Sequence, residues 1–155
     1  MNIKTKVAVT GSLIEGIVGP VLLSCWNIIS VEYGHVHFYP SALIGGMIFF
    51  MFFVGPWAAI MGAVMGYFVN RWAHNGVARN VILWRAAGLN ACLGILVLLM
   101  SLAFFSSFGA AANHLSIYGR LSFFWPTIVP LLPGALMIGT ICGILIALVL
   151  QRKRE

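Results

Sequence analysis

Four long stretches of the chain are almost wholly apolar, and short polar stretches separate them: residues 7–29, 42–69, 81–105 and 126–150. About 20 apolar residues carry a helix across the hydrocarbon core of a bilayer, whereas a barrel strand shows about ten residues alternating in and out. Continuous runs of this length therefore predict an all-α integral membrane protein, a four-transmembrane-helix bundle forming a single membrane domain over residues 1–155. The second run is long enough to cross with considerable tilt. Its flanking connectors read SVEYGHVHFYPS, in which Gly34 and Pro40 break periodicity, and NRWAHNGVARN; the third connector covers residues 106–125.

Composition agrees with this pattern. Apolar residues make up 61% of the 155, charged residues 8%, and mean hydropathy is +1.01, a balance that excludes an ordinary water-soluble domain. The net charge is +6, with Glu15, Glu32 and Glu155 the three acids. Lys4, Lys6, Arg71, Arg79, Arg85, Arg152, Lys153 and Arg154 flank one side of the expected bundle, and Arg120 alone falls on the other. That asymmetry predicts both termini in the cytoplasm, and it explains the basic charge without nucleic-acid binding. Trp26 and Trp125 fall near the expected outer boundary and Trp72 and Trp84 near the inner one, as in interfacial aromatic belts; Trp57 falls mid-span. The compact chain points to a bacterial inner membrane, with the lipid bilayer and other membrane subunits or further copies of itself as partners. Cys25, Cys92 and Cys142 lie inside apolar runs and form no CxxC pair, so they read as small apolar residues. Leu22-Leu23-Ser24-Cys25 is similar to the lipobox of bacterial lipoproteins. Leu23 stands where that motif wants a small residue, and Glu15 and Pro20 interrupt the apolar core of a signal, so the first run is read as a retained helix.

The two halves of the chain match at an offset of 77 residues. Pro56 falls on Pro133, Ala58 on Ala135, Gly62 on Gly139 and Gly66 on Gly143; Gly11 falls on Gly88 and Ser24 on Ser101. Two parallel two-helix repeats, residues 1–77 and 78–155, follow from this register, because a unit with an even number of spans returns to its starting side. Ala58, Gly62 and Gly66, like Ala135, Gly139, Gly143 and Ala147, recur every four residues and make a smooth ridge on each helix. Small residues let backbones approach closely in lipid, so the second and fourth helices are expected to cross closely or each to face a neighbouring protomer. Pro56 in the second helix and Pro130 and Pro133 in the fourth each remove a backbone donor and are expected to kink those helices; Pro126 suits a first helical turn.

Ionisable groups inside the spans are scarce. Glu15 lies about 12 Å into the first helix and Arg85 about 7 Å into the third, at about 1.5 Å per residue, and Asn90 lies deeper still. A charged carboxylate there costs on the order of 3 kcal/mol, so Glu15 should be protonated, paired or facing water. The expected arrangement is a Glu15–Arg85 pair with Asn90 as a further hydrogen-bond partner. On the other side, His35 and His37 project together in an extended loop and, with Glu32 or His114, form a candidate copper or zinc site. No histidine lies deep in a span, which argues against a buried bis-histidine haem, and no motif of a hydrolase, phosphate loop or zinc protease is present; no cofactor is required. These features rank a structural or accessory subunit packing through glycine-rich faces first. A proton- or cation-coupled small-solute transporter or channel using Glu15 is the alternative, and an outer-face metal-binding protein comes third.

Overall fold

The computed structural model describes residues 3–32, 40–113 and 129–152, and all regular structure among them is helical. The first span is α1 (Ile3–Leu13), a π turn (Ile14–Val18) and α2 (Gly19–Glu32) in succession. The π turn has a local cause in Pro20, which lacks an N–H and so denies the carbonyl of Gly16 its usual donor four residues on. Just before that position the helix widens.

Where a single second span is expected over 42–69, two helices stand instead. They are α3 (Pro40–Phe53) and α4 (Gly55–His74), which meet at Val54 with a bend of 58°. Pro56 sits in the first turn of α4, and its missing N–H leaves the carbonyl of Phe52 without a helical donor. Backbone bonds from Val54 N–H to Phe50 (2.8 Å) and from Ala58 N–H to Val54 (2.9 Å) hold the two pieces on either side.

The third run becomes α5 (Arg79–Asn113), which continues into the stretch read as connector, and the fourth becomes α6 (Leu131–Arg152). Pro130 thus precedes α6, and Pro133 is its third residue, where no intrahelical donor is needed. Residues 129 and 130 form a turn, so the stretch expected to be helical from Pro126, with a bent or partly unwound outer end, is helical only from Leu131; Pro126 itself lies outside the described residues. Among the described residues, three helical stretches are long and apolar enough to cross a membrane, and four if the bent pair counts as one span.

The spans form a ring. α1 packs on α4, α4 on α5, α5 on α6, and α6 returns to α2; α4 and α6 also meet across the short diagonal, so the first and third spans stand diagonally opposite. One core fills the end of the bundle that holds the start of α1 and the end of α6, around Val7, Met65, Ile82 and Ile146. A second core fills the other end, around Leu23, Phe50, Val54, Val97 and Leu131. Large apolar side chains such as Phe52, Ile48 and Trp84 are exposed on the outside, as a lipid-facing surface requires.

The glycine ridges do not face each other across α4 and α6. A methyl group on Gly62 would overlap the carbonyl of Gly11, and one on Gly66 would stand 2.7 Å from the carbonyl oxygen of Val7. In the other half a methyl on Gly139 would overlap the carbonyl of Asn90, and one on Gly143 the carbonyl of Ala86. Each ridge therefore lies against the preceding span of its own half. Val7 and Gly11 thus take the places that Ala86 and Asn90 take, two residues out of step with the matched glycines. Gly88 is not the counterpart of Gly11: it is exposed, and a methyl there would meet nothing within 4 Å. Ser24 and Ser101 do behave alike, both buried, with hydroxyls donating to the carbonyls of Pro20 (2.8 Å) and Val97 (2.7 Å).

Candidate functional site: a buried carboxylate at the bundle centre

The π turn carries Glu15 into the middle of the ring, where it is only 6% exposed. From the opposite span Asn90, fully buried, reaches across the long diagonal. Its Nδ2 donates to Glu15 Oε1 and also to the carbonyl oxygen of Gly139, at 2.8 Å. Its Oδ1 has no hydrogen-bond partner among the described residues.

Glycines make room for this bond. A methyl on Gly62 would stand 2.7 Å from the Cβ of Glu15, and one on Gly143 2.7 Å from the Cβ of Asn90, so the bare backbones of α4 and α6 let the two side chains meet between them. The ridges recognised as packing surfaces thus also form the slot for this polar pair.

Arg85 does not join it. The side chain is exposed, and five residues along a helix of about 3.6 per turn place it roughly 140° away from Asn90, so one helix cannot turn both toward Glu15. The expected Glu15–Arg85 pair is replaced by Glu15–Asn90.

Beside the carboxylate lies a cavity of about 40 Å³, to which every span contributes: Glu15, Gly19 and Leu23; Val54 and Ala58; Gly94, Val97 and Leu98; Ala135, Ile138, Gly139 and Cys142. A water molecule needs roughly 10–15 Å³ of such space, so the cavity has room for about three. It is far below the roughly 300 Å³ at which pockets begin to enclose a drug-sized molecule. A carboxyl group facing a small water-sized space between apolar walls is equipped to accept and release a proton. Val54, the residue at which the second span breaks, forms part of the wall.

The other candidates fall elsewhere. Glu32 is the last residue of α2, and His35, His37 and His114 lie outside the described residues, so the metal site proposed from them is not addressed. Among the described residues no three His, Cys, Asp or Glu side chains gather to hold a metal ion. Cys25, Cys92 and Cys142 are free thiols, and only Cys142 is buried, on the cavity wall. Two features escaped the sequence reading. One is the π turn, for which Gly16, Gly19 and Pro20 are the local signal. The other is a contact beside the start of α6, where Trp26 Nε1 donates to the carbonyl of Pro130 at 2.9 Å. No family model, curated protein or solved structure matches the chain.

Proposed function

We propose that this chain is a proton-coupled transporter of small solutes in which Glu15 is the proton-accepting group. The supporting observation is the placement of Glu15: a carboxylate 6% exposed, lining a cavity walled by all four spans and bonded to Asn90 across the bundle. Intramembrane carboxylates are expensive and are found where ions or protons move. Interrupted helices beside such a group are a recurrent feature of transporters, and here the π turn and the break at Val54 flank it.

The accessory-subunit reading rests on the smooth glycine ridges, the lack of soluble domains and the scarcity of reactive groups. Gly62, Gly66, Gly139 and Gly143 lie against the chain's own helices, which weakens the first of these grounds. In the proposed topology both termini are cytoplasmic, the membrane is a bacterial inner membrane, and the halves are parallel repeats. The matched glycine–carbonyl contacts of α1 with α4 and of α5 with α6 support the last point.

The test uses proteoliposomes holding a pH-sensitive dye and challenged in turn with gradients of small cations, amines and neutral solutes. At least one gradient should drive a pH change in the wild type, and Glu15→Gln should reduce that change to the leak of protein-free vesicles at equal protein incorporation. If no solute moves protons with the wild type, and purification in mild detergent returns a stable complex with other membrane subunits, the accessory reading replaces this one.

A further inference from the structure

Resting on that reading of Glu15, we propose that the cavity is entered from the bundle end that carries Trp26, and that the Trp26 indole is the group that closes it to water and small cations.

Packing makes the two directions unequal. Between Glu15 and the end holding the start of α1 and the end of α6, the helices touch backbone to backbone at Val7–Gly66 and Ala86–Gly143, and Met65, Ile82 and Ile146 are buried at the centre. None of these residues lines the cavity.

In the other direction the cavity wall follows the first span from Glu15 through Gly19 to Leu23, about 12 Å at roughly 1.5 Å per residue, and follows α6 from Cys142 back to Ala135. The space is thus elongated toward Trp26, which sits one turn beyond Leu23 and packs against the core around the cavity.

Trp26 is held there by a fit and a single bond. Its ring lies on Gly134, where a methyl group would come within 2.6 Å of Nε1, and Nε1 donates to the carbonyl of Pro130, the residue before α6 begins. Tryptophan supplies a broad apolar plate with one donor at its edge, which suits a lid with one latch. One neutral hydrogen bond, formed in exchange for bonds to water, is weak enough to open thermally. At this level α6 begins, at Leu131. That helix end can shift without a helix breaking in its middle.

Cys142 reports on access, because it lines the cavity and is buried. In a Cys25→Ser/Cys92→Ser background it is the chain's one thiol, and a charged methanethiosulfonate reagent added to one face of proteoliposomes reads its exposure by mass. A cleavable tag after the C-terminus identifies the faces. Trp26→Phe keeps the plate and removes the latch, whereas Trp26→Ala removes both.

Labelling should be several-fold faster in each variant than with Trp26 intact, and only from the face opposite the tag. Equal rates in Trp26→Phe and its parent, or labelling from the tag's face, overturn the proposal; Trp26→Phe decides the matter if Trp26→Ala does not fold. The reaction requires no transport. The same pattern in Glu15→Gln therefore supports the entry path even where the proton-coupling role of Glu15 fails.

Discussion

Gly62→Ala should destabilise the protein by about 1–3 kcal/mol, the usual cost of forcing one extra carbon into a packed interior, and Gly62→Leu should prevent folding. The added methyl would overlap the carbonyl of Gly11 and come within 2.7 Å of the Cβ of Glu15. The helix backbone on the other side cannot rotate out of the way as a flexible side chain would. The change therefore separates α1 from α4 and also displaces the carboxylate from Asn90. Gly139→Ala should behave alike, because its methyl meets the carbonyl of Asn90 in the other half. Gly88→Ala is the internal control. That position is exposed with nothing within 4 Å of the added carbon, so the gain in helix propensity, about 0.5–1 kcal/mol, acts alone and stability should hold or rise. Unfolding in detergent followed by circular dichroism measures all three. Equal stability of Gly62→Ala and Gly88→Ala would refute the close approach of α1 and α4.

Much of the fold was legible because apolar runs of about 20 residues have few other uses, and the helices appear where those runs lie. What the runs hide is azimuth. In lipid the outer and inner faces of a helix are both apolar, so residues 42–69 read as one span and the break at Val54 did not show in hydropathy, although Gly55-Pro56 marked it. The glycine spacing showed that some backbone comes close but not which one. The spacing left the ridges to face each other or a neighbouring protomer, when α1 and α5 are their partners. For the site, depth was countable and direction was not: Glu15, Arg85 and Asn90 were all placed inside the membrane, yet only the angular relation of Arg85 to Asn90 decides which one faces Glu15. The cavity had no linear signal, since its wall takes small and apolar residues from four separate segments.

Asn90→Leu should cost about 1–2 kcal/mol of stability, in the range measured for hydrogen bonds between membrane helices. Leucine is close in size, so the loss arises chiefly from leaving Glu15 Oε1 without its donor, with the bond to the Gly139 carbonyl lost as well, rather than from a cavity. Because the first and third spans face each other across the long diagonal, this bond ties them directly where packing around the ring connects them through α3, α4 and α6. Replacing both partners separates the two contributions. Asn90→Leu combined with Glu15→Leu leaves no orphaned acceptor and should recover most of the loss, since apolar substitution of a whole buried pair is often nearly neutral. Glu15→Gln retains an oxygen able to accept from Asn90 and should unfold close to the wild type. The order of stability is then wild type and Glu15→Gln together, the double leucine variant next, and Asn90→Leu last, read by unfolding in the same lipid and detergent mixture. If Asn90→Leu proves as stable as the wild type, the diagonal bond is not holding the bundle. If Glu15→Gln is stable yet no longer couples solute movement to protons, the carboxylate is present for its proton, since the hydrogen bond it accepts is equally served by an amide.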